Sequence, residues 1–146
     1  MYPNAISVHG MDGFYATMVT PRETGLPYDL YFEWLAWERL KNYSPYFYAC
    51  KEDWLIPISI SDHPFVIDIG IEDSDFASVV EWAEKYKNLL IKHWNGEIED
   101  VDLIFAIRNL HRIDMGKTIS DLHLDEDELI CLKEAISILK NGRDSK

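Results

Sequence analysis

The chain has 146 residues, with 26 Asp and Glu against 14 Lys and Arg, a formal net charge of −12 and a pI near 4.7. Such a field repels phosphate backbones and anionic lipid headgroups and attracts basic partners, so neither direct nucleic-acid binding nor membrane binding is expected. Hydrophobic residues make up 47% and charged residues 27%, so the acidity reflects a shortage of Lys and Arg, and disorder through charge repulsion is excluded.

A chain of this length suits a single domain, 1–146, that buries roughly two thirds of its unfolded surface. The run Met1-Tyr2-Pro3-Asn4-Ala5-Ile6 lacks the basic start and apolar run of a signal peptide, and no stretch approaches the ~20 apolar residues of a membrane span. Cys50 and Cys131 are too few and too scattered for a disulfide framework or a zinc site. Two reduced thiols in a cytoplasmic protein are expected.

The N-terminal half reads as β, with strands over about 13–70. Phe14 to Val19 is aromatic and β-branched and stops at Thr20-Pro21. Thr24-Gly25-Leu26-Pro27 is a turn, since Gly supplies a positive φ and Pro restricts the residue before it. A second strand follows from Tyr28 to Glu33. Between Leu30 and Asn42 two readings stand, because Leu30, Trp34, Trp37 and Leu40 also suit a short helix. Pro45–Cys50 and Trp54–Ile60 are two further strands. Pro57 cannot donate a ladder hydrogen bond, so its strand should lie at an edge or carry a bulge. Phe65–Ile69 is the last strand candidate.

The C-terminal half is helical. A helix over about 75–95, capped by Ser74 or Asp75, carries Phe76, Val79, Val80, Ala83, Tyr86, Leu90 and Trp94 at three- and four-residue steps and stops at Asn95-Gly96. Asp100 caps a second helix over about 101–112, with Leu103, Ile104, Ile107 and Leu110 on one face. A third, over about 126–141, opens on a capping box of Asp125 and Glu128, turns Leu129, Leu132, Ile136 and Leu139 inward and ends at Asn141-Gly142. The fold class is therefore α+β: an antiparallel sheet from the N-terminal half packed against two or three C-terminal helices.

No Gly-rich phosphate loop, nucleophile elbow or zinc-ligand spacing is present, and no cofactor is expected. Of the five histidines, His63 sits in a turn between Asp62 and Pro64, while His93 and His111 stand near helix ends, where a partly charged imidazole favours the dipole. Asp121, His123 and Asp125 have the sharpest metal-like spacing. On an extended segment all three would face one side, two oxygens and a nitrogen within reach of one cation. Asp125 already has work as a helix cap, so no metal is expected and these three are only its candidates.

The acids are unevenly spread. Between Lys51 and Lys85 there is no basic residue but there are nine carboxylates. Glu72, Asp73 and Asp75, like Asp125–Glu128, belong to helix starts, where each stabilises the dipole by roughly 0.3–1 kcal/mol. Glu52, Asp53, Asp62 and Asp68 have no such explanation. They adjoin ten aromatic residues within 27 positions, from Tyr28 to Trp54. An alternating strand buries half its side chains on one side, so several of these aromatics should be exposed beside the acids, as in a protein-binding hot spot; a thick aromatic core is the alternative.

Thr24-Gly25-Leu26-Pro27 before a strand, followed by Val80-Glu81-Trp82 and a helix ending Leu90-Ile91-Lys92-His93-Trp94-Asn95-Gly96-Glu97-Ile98, resembles a family of small uncharacterised bacterial accessory-genome proteins. The resemblance covers about Val19 to Leu110. It implies a setting of mobile elements and toxin or defence loci and assigns no catalytic residue.

The expected function is an acidic cytosolic binding module that neutralises a basic protein partner, in the manner of an immunity protein or antitoxin. Its partner-binding residues would be Trp34, Trp37, Tyr46, Tyr48, Glu52, Asp53, Asp62 and Asp68. One alternative is a phage or prophage inhibitor that imitates nucleic acid for a host defence protein; another is a metal-dependent enzyme built on Asp121, His123 and Asp125.

Overall fold

The computed structural model describes residues 5–7, 16–33, 45–68 and 71–144. They form two compact units. The first takes in the described residues up to Pro21 together with Leu26–Lys87, and the second takes in Arg22–Gly25 and those from Asn88 onward. The fold class is α+β, with an antiparallel sheet from the N-terminal half and three long helices from the C-terminal half.

In the first unit β1 (Ile6–Ser7), β2 (Ala16–Val19), β3 (Leu30–Glu33), β4 (Tyr46–Lys51) and β5 (Trp54–Ser59) make one sheet in the order β1-β5-β4-β3-β2, every pairing antiparallel. β4 and β5 form a hairpin closed by Glu52 and Asp53, in register from Lys51↔Trp54 to Tyr46↔Ser59. β1 is not among the strands that the sequence suggests. The expected strand at Phe65–Ile69 shrinks, among the described residues, to one bridge between Ile58 and Val66. There the Val66 N–H leaves the sheet and donates to Asp73 Oδ1 at 2.8 Å.

β5 stands second in the sheet, yet Pro57 is accommodated without a bulge. Among the described residues β1 covers only Trp54 and Leu55. Beside Pro57 the neighbour is the Phe65–Ile67 segment: Ser59 N donates to Phe65 O and Ile67 N donates to Pro57 O, each at 2.9 Å. Pro57 acts only as an acceptor here, and the reciprocal bond back to Ile67 is the one a proline has no hydrogen to make.

β4 does not alternate. Tyr46, Phe47, Tyr48 and Ala49 are all buried. Phe47 stacks on Phe32 at 5.5 Å between centroids and meets Trp82 edge-on at 5.9 Å, while Tyr46 and Tyr48, on the opposite face, lie edge to face at 5.5 Å. A strand covered on both faces is an unbroken apolar run, which is how Tyr46–Ala49 reads.

Trp82 belongs to α2 (Ala77–Trp94), entered through a 3₁₀ turn at Asp73–Phe76. The cap lies earlier than Ser74 or Asp75. Glu72 takes the N-cap position, and its N–H donates to Asp75 Oδ2 at 3.3 Å. Val79, Ala83, Tyr86 and Leu90 are buried as expected; Trp82 and Leu89 join them, whereas Val80 and Trp94 are half-buried, so the apolar stripe is wider and rotated.

The second unit holds α1 (Pro21–Thr24) from Arg22, α2 from Asn88, α3 (Asp100–Asp114) and α4 (Glu126–Asp144). α2 ends as its Asn-Gly predicts. Gly96 takes φ 79°, its N–H donates to His93 O at 3.0 Å, and Glu97 N donates to Lys92 O at 2.9 Å, the paired bonds of a Schellman turn. The same pair closes α3, from Gly116 N to Ile113 O and from Lys117 N to Arg112 O. Glu99, not Asp100, is the N-cap of α3, which buries Leu103, Ala106, Ile107 and Leu110 and leaves Ile104 half-buried. α4 runs past the expected stop at Asn141-Gly142, because an internal Gly costs a helix only about 1 kcal/mol. Its buried residues are Leu132 and Ala135; Leu129, Ile136 and Leu139 are half-buried.

The Thr24–Pro27 turn is fixed by a close approach. Gly25 has φ 80°, and a Cβ there would lie 2.5 Å from Cε1 of His111, in the last turn of α3. Gly25→Ala should cost about 2–4 kcal/mol from left-handed strain plus overpacking. Denaturant unfolding of Gly25→Ala combined with His111→Ala should recover the overpacking share alone. Equal losses in the single and double variants would show that His111 is not the obstacle.

Candidate functional site

The structure does not gather the expected partner face. Trp34 and Trp37 lie outside the described residues. Tyr46 and Tyr48, only 2% and 0% exposed, are core residues and offer a partner no surface. Both faces of β4 are covered, so the one-sided alternation behind that expectation does not hold. Glu52 and Asp53 are exposed in the β4–β5 turn, and Asp68 is half-buried. Asp62 is exposed past the far end of β5, where it accepts a hydrogen bond from Lys87 Nζ at 2.6 Å. The six residues of β5, about 20 Å of strand, separate Glu52 and Asp53 from Asp62.

What forms instead is an acidic end to the hairpin. Phe65–Ile67 runs antiparallel to β5, and Ile71 and Asp75 lie alongside Glu52 and Trp54. Between them lies a cleft of about 190 Å³, with Lys51, Glu52 and Asp75 supplying its charges and Trp54, Ile56 and Phe76 its apolar wall. The Lys51 ammonium stands 5.6 Å from the centroid of the Phe76 ring. Glu52 holds φ 55°, a left-handed conformation that costs a side-chain-bearing residue of the order of 1 kcal/mol and that glycine adopts freely.

Asp29 also belongs to this end, and sequence reasoning missed it. Its carbonyl accepts from Cys50 N at 2.8 Å, one step beyond the Leu30↔Ala49 pair. The available signal was the β3–β4 register, which carries the residue before Leu30 to the residue after Ala49. Burial, with Asp29 and Asp53 adding to it, pushes the Cys50 thiol up, and burial also raises Tyr31, with Cys50 and Asp29 as further causes. In the second unit burial raises Cys131, helped by Asp102 and Glu134. Both cysteines are free and stay protonated near neutral pH.

Asp121, His123 and Asp125 do not converge. Their segment is not extended: Ser120–Leu122 is a 3₁₀ turn and His123 has φ 52°. Asp121 Oδ2 accepts from Thr118 N at 2.9 Å while Asp121 N donates to Thr118 Oγ1 at 3.2 Å. The expected capping box is present one turn later, where Glu128 N donates to Asp125 Oδ1 at 2.8 Å and Asp125 N donates to Glu128 Oε1 at 3.0 Å. Two of the three candidate ligands thus serve separate caps. Among the described residues no three His, Cys, Asp or Glu side chains gather in a metal-binding group. His63 is exposed, and His93 Nε2 is hydrogen-bonded to Asp100 Oδ1, tying the end of α2 to the start of α3.

Fold and site together define an α+β protein with an acid-lipped cleft at one end of a β-hairpin. No protein family, curated protein or solved structure matches the chain. Among the described residues no helix is long and apolar enough to cross a membrane.

Two outcomes follow from this geometry. Glu52→Gly should raise stability by up to about 0.5 kcal/mol, as relief of the left-handed strain is offset in part by the added freedom of the unfolded chain; thermal melts measure it. The Asp121 carboxyl is held below the usual aspartate range, chiefly by the Thr118 N–H and then by its side chain. Its folded pKa lies below the unfolded one, so its stabilisation is complete above the unfolded aspartate range and is lost as pH falls through the folded value. In an NMR titration Thr118→Ala should move Asp121 part of the way back up, since the backbone donor remains.

Proposed function

We propose that the protein is a cytosolic binding module that neutralises a basic protein partner, in the manner of an immunity protein or antitoxin, with the acidic hairpin end as its contact surface. The observation that carries this reading is the exposed Glu52-Asp53 turn beside a cleft that joins carboxylates to an apolar wall. Apolar anchoring in a pocket with charge at the rim is how a compact surface gains affinity and on-rate together. The net charge of −12 supports the same choice of partner, because it steers basic proteins in and keeps phosphate backbones away. Asp62, paired with Lys87 at the other end of β5, is no part of this surface.

Charge reversal tests it. Immobilised protein should retain basic proteins from the lysate of its own host at about 50 mM salt and release them at about 300 mM, as expected for a contact screened over roughly a Debye length. Glu52→Lys with Asp53→Lys should abolish that retention and slow association with the captured partner about tenfold, while circular dichroism stays unchanged. Retention of the same proteins by the folded double variant would overturn the assignment of the surface.

A further inference from the structure

The cleft already contains a cation. Phe76 is only 1% exposed, and the Lys51 ammonium stands over its ring at 5.6 Å, with Glu52 and Asp75 lining the same cleft. We infer that Lys51 holds the place of an arginine from the basic partner, and that the cleft is the receptor for that one guanidinium, which displaces Lys51 from the Phe76 ring. The inference rests on the function proposed above and names the group the surface recognises.

Size, charge and shape agree. A volume of about 190 Å³ accommodates roughly six waters at ~30 Å³ each, or one long side chain. Asp75 uses one oxygen, Oδ2, on the Glu72 N–H, which leaves acceptor capacity on its carboxylate for an incoming donor. A guanidinium is planar, stacks on an aromatic face and presents a fork of N–H groups to carboxylates, whereas an ammonium is a compact and strongly hydrated point charge. Lys51 therefore yields the site to arginine more readily than another lysine would take it. Lys51 is exposed on the last residue of β4, so its stem can swing into solvent with no change in the backbone.

Short capped peptides Gly-Arg-Gly, Gly-Lys-Gly and Gly-citrulline-Gly serve as probes, followed by amide and indole NMR shifts. The arginine peptide should shift Lys51, Trp54, Ile71, Asp75 and Phe76 saturably at millimolar concentration. The lysine peptide should bind more weakly, and citrulline, which keeps the shape without the charge, should not bind. Lys51→Met should tighten the arginine peptide about two- to fivefold, the worth of one exposed cation–π contact. Lys85→Met is the control for net charge, because it removes a lysine that stands 5.4 Å over another ring, Tyr86, away from the cleft. It should leave binding unchanged.

Equal tightening by both variants would reduce the effect to overall charge and overturn the inference. So would equal shifts from arginine and citrulline, or weaker binding by Lys51→Met, which would make Lys51 a covering side chain only. Loss of basic-protein retention in the Glu52→Lys, Asp53→Lys variant, with no peptide shifts at the cleft, would leave the acidic surface standing and remove the arginine receptor alone.

Discussion

Phe47 meets both the Phe32 ring and the Trp82 ring, and the two residues that flank it, Tyr46 and Tyr48, are buried on the other face of the same strand. Everything else in the first unit accommodates that double burial. β4 must sit inside the sheet, with β3 on one side and β5 on the other. α2 must bring Trp82 onto one face. Aromatic pairs of this kind add about 0.5–1.5 kcal/mol each beyond the area they bury, and β4 takes part in three of them. Among the described residues β4 has no free face, and the Glu52-Asp53 turn at one of its ends is exposed.

Acidic residues divide by location into two uses. Those at the helix starts are spent on backbone N–H groups: Asp73 on Val66, Asp75 on Glu72, Asp121 on Thr118 and Asp125 on Glu128. Each such bond satisfies a backbone donor at a point where the chain changes direction. Asp75 serves its cap and the cleft together, while Asp29, Glu52 and Asp53, around the hairpin turn, do not stand at a helix start. Glu52 itself is the left-handed residue there, and the Cys50 thiol and Lys51 stand beside it in the chain.

Helices were legible wherever a local signal decided them. Asn95-Gly96 ends α2 and Asp125 with Glu128 opens α4, because each rests on bonds within a few residues. Gly142 shows the limit: the same dipeptide did not end α4. The sheet was legible as strands but not as layers. Period-two reasoning assumes one solvated face, and nothing local distinguishes a strand covered once from a strand covered twice, although the unbroken run Tyr46–Ala49 was the available hint. Site residues fared as their environments dictate. Glu52 and Asp53 are exposed at the turn, Tyr46 and Tyr48 are core residues where period-two reasoning expected a surface, and Asp29 needed a pairing register that no single segment encodes.

Pro57 bears on a hazard that every exposed sheet border carries, the addition of a foreign strand. Among the described residues the outer side of β5 is divided between Ile6–Ser7 and the Phe65–Ile67 segment, and Pro57, opposite Ile67, offers no donor for a growing ladder. A second chain seeking to extend the sheet here would have to displace both short segments and would still meet a gap in the hydrogen-bond pattern. A hairpin this rich in aromatic and β-branched residues is of the kind that stacks into fibrils when its border is open. Its own border carries the safeguard.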